Sequence, residues 1–569
     1  MRALGGFGQG KVKVTVNGLD LPGENLPAFT REWTLGVRPA YPALLKQYRA
    51  VLKDEAWSLP DAELALFEPA GREALLSLSS RPPLNLGEQI RALKAYPYGC
   101  LEQTASGLYP SLYADATVLA RLGLTGESDA ERKRKIELGI ERLLGMQRYN
   151  GSFGLWGADG DEEYWLTAYV TDFLLRARDQ GFAVPADSLK KANERLMRYL
   201  QERGQVQVNY SQDAEHTRFA VQAYAGLVLA RSQQAPLGAL RTLFERRSDA
   251  RSGLPLVQLA VALEKMGDKP RAEQALQAGL TVGRQANQWL ADYGSPLRDQ
   301  AMILALLEEN NMGGELRSQR LFALADELAA SRYLSTQESN SLFLAGRHLL
   351  GKPEKDWTAR LSAGMQGLDV SNRQPGLKLD GPLLASPLSL SNQSNETLYQ
   401  QLTVSGYPTQ APAAGGENLS IRREYLSLNG QPLNVEALKT GQLVLVHLEV
   451  AARQRVPDAL VVDLLPAGLE LENQNLAQSA ASLEDASESV KSFRESMENA
   501  GIKHQEYRGD RYVAALDING STRPTHLLYL ARAVTPGIYR VPPPQVESMY
   551  RPNWQALGET PAQMVVRGK

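Results

Sequence analysis

Cysteine is almost absent: Cys100 is the only one in 569 residues, so an internal disulfide is excluded. A lone thiol suits a reducing compartment; in an oxidising one it would need a purpose. Excess charge is also missing. Lys+Arg total 62 against 64 Asp+Glu, for a formal net charge of −2. There is no basic run interleaved with aromatics, and no Gly-rich loop ending in Lys-Ser or Lys-Thr, so neither nucleic acid nor a nucleotide phosphate is an expected partner. No stretch approaches the ~18 consecutive apolar residues of a membrane span. The opening MRALGGFGQGKVKVTVNG lacks the apolar segment of a signal peptide. A strand pattern, KVKVTVNG (11–18), begins almost at once, which reads as a chain starting inside a larger protein. No His/Cys cluster has metal-site spacing, so neither a metal nor another cofactor is expected. The remaining composition is ordinary for a globular protein, 43% hydrophobic and 22% charged. The length suits about four domains at ~150 residues each.

The hydrophobic periodicity changes twice along the chain. Up to about residue 90 it alternates, as in REWTLGVRP (31–39) and REALLSLSSRPP (72–83), with Gly and Pro breaking the runs. From Leu86 to Leu350 apolar residues recur at three- and four-residue spacing. RKRKIELGIERLLGMQ, SLKKANERLMRYLQER, RAEQALQAGLTVGRQ and SQRLFALADELAASRYL are amphipathic helices. YWLTAYVTDFLLRA (164–177), FAVQAYAGLVLARS (219–232), RDQAMILALLEE (298–309) and SNSLFLAGRHLL (339–350) are apolar on nearly every face, so they are buried. Alternation of the two kinds predicts an outer ring of helices around an inner ring, an α/α toroid. After Gly351 the pattern returns to β, in LYQQLTVSGYP, GQLVLVHLEVAA, DALVVDLLPAG and THLLYLARAVTPGIYRVPP, while QSAASLEDASESVKSF (478–493) reads as a loop or surface helix.

Cys100 lies in YPYGCLEQTASGLYP (96–110). Three readings are open. A single cysteine is commonly a small buried hydrophobe. A cysteine hydrolase would pair it with a histidine, but the flanks match neither the papain-like nor the caspase-like signature, and only His216 and His348 of the five histidines lie in the helical block. In the third reading Cys100 and Gln103, at i and i+3 around a tight turn, meet. The thiol displaces ammonia from the Gln103 amide, and an internal thioester results. A helix starting at or just after Cys100 and running through EQTASGLYPSLYADATVLARL would lower the thiol pKa. Gly99 would allow an unusual backbone angle or a close approach.

PYGCLEQ (97–103) resembles the thioester motif of the α2-macroglobulin and complement family, with Leu101 where vertebrate members have Gly. TLGVRPAYP (34–42), NGSFGLWG (150–157), VVDLLPAGLELEN (461–473) and YLARAVTPGIYRVPPPQVESMYRP (529–552) extend the resemblance over essentially the whole chain. It implies a multidomain β-plus-α architecture. Residues 1–40 end a macroglobulin-like domain. Residues 41–88 and 361–418 are the two parts of a CUB-like β-sandwich, split by an α/α-toroid thioester domain at 89–360. Residues 419–569 form a C-terminal macroglobulin-like sandwich.

The resemblance also implies a function: the C-terminal part of a protease inhibitor that is not an enzyme. Its thioester, Cys100–Gln103, captures attacking proteases through their lysine amines. Gly99, Leu101 and Glu102 support the motif, with Glu102 holding the turn through backbone N–H groups. Tyr96, Tyr98, Met549 and Tyr550 shield the bond, although each also fits an ordinary core aromatic or gap-filler. His216 is a candidate acyl-transfer residue, as in some complement proteins, or else a plain helix-start residue. Bacterial members of the family imply a monomeric periplasmic lipoprotein that accompanies a peptidoglycan synthase of the penicillin-binding class. Two other classes compete: a complement-like protein that tags surfaces, and an α/α-toroid enzyme such as a terpene cyclase or glycan lyase, for which NGSFGLW is similar to the repeat motif but no Asp-rich motif follows. DGDEEYW (159–165) lacks EF-hand spacing and is expected to be a solvated loop leading into a helix.

Overall fold

The computed structural model describes residues 8–568 except 17–19, 22–23, 26–28, 38, 54–55, 96–98, 125–126, 209–210, 286–287, 332, 351–354, 473–487 and 521–522. Strands Gly8–Val16 and Phe29–Val37 form an antiparallel ladder of their own. A sandwich of two four-stranded sheets follows. In one sheet Glu73–Ser79 lies between Gly376–Asp380 and Leu398–Gly406, with Leu44–Leu52 at the edge; the other orders Trp57–Leu59, Leu388–Asn392, Thr358–Ala363 and Gln366–Ser371. Strands from before and after the helical block thus share both sheets. Their alternating inward residues, among them Leu76, Trp357, Leu361 and Leu402, make one apolar core.

The block inserted between these strands is a toroid. Its inner ring comprises Leu101–Tyr113, Tyr164–Asp179, Ala214–Arg231, Gly253–Lys265, Pro296–Glu309 and Thr336–Gly346. Each packs against the next, and the last closes on the first. These helices are the ones apolar on all sides, because each faces ring neighbours, an outer helix and the ring centre. Asp129–Leu144, Ala186–Gln201, Lys269–Thr281 and Leu316–Ala330 belong to the outer layer and bury one stripe each. The helix that starts at Cys100 is shorter than its sequence suggests. It stops at Tyr113, and Asp115 caps a separate helix, Ala116–Arg121, by accepting the Val118 N–H at 2.8 Å.

The C-terminal sandwich pairs a six-stranded sheet with a four-stranded sheet. Strand Val456–Leu464 of the former is apolar on both faces for a specific reason. Val461 points into the sandwich core, whereas Leu460 and Val462 join the core of the toroid, as do Val513 and Ala515 of the neighbouring strand. The two domains therefore share a dry interface. The polar segment near residue 490 contains a helix, Glu488–Glu498, whose Val490 and Phe493 cover the outer face of the four-stranded sheet.

NGSFGLWG is a connection whose glycines are sterically required. Gly151 has φ +88°, and a Cβ there would lie 2.2 Å from the Lys191 carbonyl oxygen. Gly151→Ala is expected to destabilise the helical domain by more than ~2 kcal/mol. Thermal unfolding followed at 222 nm checks this, and an unchanged midpoint would contradict the packing described.

Candidate functional site

Cys100 is the N-cap residue of Leu101–Tyr113, with extended backbone (φ −66°, ψ 172°). Cys100 and Gln103 form the reciprocal arrangement of a capping box. Sγ faces the Gln103 N–H, and the Cys100 N–H donates to Gln103 Oε1 at 3.3 Å. Both side chains thus sit over the first helical turn, where the i, i+3 spacing put them. The loop at 150–157 fixes the turn, since the Leu101 N–H donates to the Leu155 carbonyl at 2.8 Å. Gly99 allows a close approach rather than an unusual angle. Arg142 Nη2 donates to the Gly99 carbonyl at 2.8 Å, and a Cβ would meet that same guanidinium at 2.5 Å.

The environment is dry. Cys100 and Leu101 are 0% exposed and Gln103 5%. The C-terminal sandwich supplies the cover. Tyr550 Oη lies 3.8 Å from Cys100 Sγ, and Gln103 Nε2 donates to Met549 Sδ at 3.5 Å. Met549 and Tyr550 thereby lie against the pair. Tyr96 and Tyr98, the other two expected shields, lie outside the described residues. Burial also reverses one expectation. The Cys100 pKa is pushed up, not down, first by desolvation and then by the Glu102 carboxyl, and these outweigh the N–H groups of the turn.

Among the described residues the Glu102 carboxyl is held by side chains rather than by backbone N–H groups of the turn. It is fully buried and accepts from Ser106 Oγ (2.5 Å), Thr336 Oγ1 (2.6 Å) and Gln337 Nε2 (2.8 Å). Ser106 and Asn340 converge on Tyr169 Oη at 2.7 and 2.6 Å. This network ties the motif helix to the helix that closes the ring. Burial raises the Glu102 pKa against the pull of those donors.

Two groups of residues around Tyr550 gave no signal in the sequence. The first is the loop before Pro296. Tyr293 packs edge-on against Tyr550 with ring centroids 4.8 Å apart, and Trp289 lies beyond it at 6.5 Å. Ala291 and Tyr293 are both left-handed (φ 53° and 57°), a conformation costing ~1–2 kcal/mol per residue. Asp292 between them is clamped by Arg284 and by Arg298 (3.1 Å), which holds the loop in place. The second group is an acidic pair across the domain interface. Half-buried Glu163 accepts from Tyr293 Oη and faces Asp458, itself left-handed (φ 58°) and bound to Lys503 Nζ at 2.6 Å. DGDEEYW is therefore no simple solvated loop. Glu163 meets the other domain, and Glu162 takes Arg195 Nε at 2.7 Å.

His216 is fully buried. Its Nδ1 accepts the Arg251 N–H at 2.9 Å, and its Nε2 faces Asp292 Oδ2 at 3.9 Å. It makes no hydrogen bond to Cys100 or Gln103 among the described residues, so an acyl-transfer role requires the ring to leave this setting.

Three family models match the chain: the A-macroglobulin TED domain over 77–233, the A2MG CUB domain over 355–417, and the bacterial alpha-2-macroglobulin MG10 domain over 419–553. An alpha-2-macroglobulin of Escherichia coli is 49% identical over the full chain, and one of Xylella fastidiosa 38% over 99% of it. The chain spans 34% of the length of each. The crystal structure of native E. coli alpha-2-macroglobulin from domain MG7 to the C-terminus superposes with TM-score 0.94, covering 100% of this chain and 88% of that one. A Salmonella alpha-2-macroglobulin reacted with methylamine gives 0.91 at 48% identity, covering 99% and 36%.

Two outcomes are expected from this geometry. Tyr550→Ala removes the cover over Cys100 and should raise the rate at which methylamine releases a titratable thiol by ~10-fold, equivalent to ~1.4 kcal/mol in the closed state; an unchanged rate would mean Tyr550 does not limit access. The Glu163 pKa is raised from 4.5 to about 7, mainly by desolvation and then by Asp458, against Tyr293 and Lys503. A raised acid contributes stability that is complete below pH ~4.5 and is lost as pH rises through ~7. The thermal midpoint should fall across that window relative to Glu163→Gln, and parallel profiles would refute the assignment.

Proposed function

The chain belongs to the bacterial alpha-2-macroglobulin family, and on that premise we propose that it carries a single-use thioester between Cys100 Sγ and Gln103 Cδ with which the protein captures proteases. The observation that carries this reading is the capping-box pairing of the two buried side chains under Met549 and Tyr550. Formation exchanges one bond for another. Sγ attacks the Gln103 amide carbon, a C–S bond replaces the C–N bond, and the thiol proton leaves with the nitrogen as ammonia. When the C-terminal sandwich moves off, a lysine amine of the bound protease attacks the same carbon. An amide forms, Cys100 leaves as a thiol, and the protease is held covalently. The thioester is not regenerated, so the protein acts once and is not an enzyme.

Cleavage of a bait region elsewhere in the protein would supply the trigger, and the periplasm the setting, with a lipid-anchored monomer as the form. That the Salmonella relative has been reacted with methylamine supports access by amines. The placement of His216 against Asp292 and Arg251 favours direct transfer to amines over hydroxyl tagging of surfaces. Among the described residues no helix is long and apolar enough to cross a membrane.

Intact mass tests the reading. The untreated chain should be lighter than its sequence by one ammonia. Methylamine should add at Gln103 and expose one thiol, and Cys100→Ala and Gln103→Ala should abolish both changes. A mass equal to the plain sequence with a thiol free from the start would refute the bond in this chain.

A further inference from the structure

We propose that the C-terminal sandwich carries a divalent transition-metal site built from His447, Glu449 and His526, for which zinc is the fitting ion. No spacing in the sequence signals it, because 79 residues separate the two histidines. The sheet register assembles it instead. Glu449 stands opposite His526 in the ladder between Leu443–Ala452 and Thr525–Ala533, and His447, two residues earlier, shares their face. One ligand atom from each of the three lies within 4.8 Å of the other two. His447 Nε2 and His526 Nδ1 are 2.9 Å apart. Two nitrogens on a tetrahedral zinc are ~3.3 Å apart, so the rings need only separate slightly to admit the ion.

The surroundings prepare these atoms for ligation. His447 Nδ1 lies 3.2 Å from Glu424 Oε2, on the strand that flanks it from the other side. With the proton of that ring on Nδ1, the lone pair is at Nε2, the arrangement in which a carboxylate orients a metal-bound histidine. The Nδ1 proton that His526 then donates to His447 shifts to its own Nε2 when the ion enters, so both lone pairs are freed without loss of a proton. Phe493 stacks on His447 (4.1 Å between centroids, 15°) and on His526 (5.0 Å, 26°), which fixes both rings and closes one side. Arg422 contacts Glu424 at 2.5 Å and Glu449 at 3.5 Å. The looser contact is the one the ion replaces, and Glu424 keeps its partner. Two imidazoles and a carboxylate are a borderline donor set that suits zinc, and a fourth position remains for water. Such an ion would fasten two adjacent strands of the domain that covers Cys100.

Titration calorimetry with zinc chloride on the chelator-treated whole chain tests the site. One ion per chain is expected, with a dissociation constant below ~10 μM and a rise in thermal midpoint. Glu449→Gln and His526→Gln, both at partly exposed positions, should each weaken binding by at least ~10-fold, and Glu424→Gln by about 10-fold through His447. Far-UV circular dichroism verifies that the variants fold. Absence of binding at 100-fold that concentration, or binding that neither ligand substitution alters, would overturn the proposal.

Discussion

Everything in this molecule is arranged around the exclusion of water from one helical turn. A thiol and an amide at i and i+3 are common; what is uncommon is that the second domain reaches across to seal them. The Tyr550 hydroxyl meets Cys100 Sγ, and Glu102, two residues on, anchors the polar network behind the turn. The toroid gives this contact its rigidity. Glu102 joins the first inner helix to the last, so the closure of the ring and the geometry of the turn depend on the same hydrogen bonds. A buried carboxyl with several donors is costly to disturb, because removing any one donor leaves charge or lone pairs unmatched.

The cover itself rests on strained components. Ala291, Tyr293 and Asp458 hold left-handed backbone on both sides of the interface, and charged residues clamp two of these places. Strain of this kind persists only where the surroundings impose it.

The sequence reveals the class of each segment more clearly than the connections between them. Helices apolar all round were legible as an inner ring because burial on every side leaves no polar stripe. The strand 456–464 was legible as buried, but not that its two faces serve different domains. Cys100 and Gln103 of PYGCLEQ meet in the fold because they are three residues apart on one turn, whereas Met549 and Tyr550 of ESMYRP could be set beside them only through the family resemblance. The pKa direction of Cys100 was misread from the helix terminus alone, since desolvation depends on residues 450 positions away. The same separation hid Glu163, Tyr293 and Asp458, whose roles exist only once two domains meet. The His447–His526 cluster is invisible for a related reason: sheet register, not spacing, brings its members together.

The distance along the chain between sulfur and cover has a consequence for timing. Tyr550 follows Cys100 by 450 residues. At ~5–20 residues per second, a ribosome needs roughly 20–90 s to make that stretch. For the part of that interval after the ring closes at Gly346, roughly 10–40 s at the same rate, the ring domain can be complete while the Cys100–Gln103 turn still faces solvent. A thioester formed then would be spent on water or on the nearest amine before it could serve. On the proposed reading, bond formation belongs after the C-terminal sandwich has docked, so that sealing the site would also arm it.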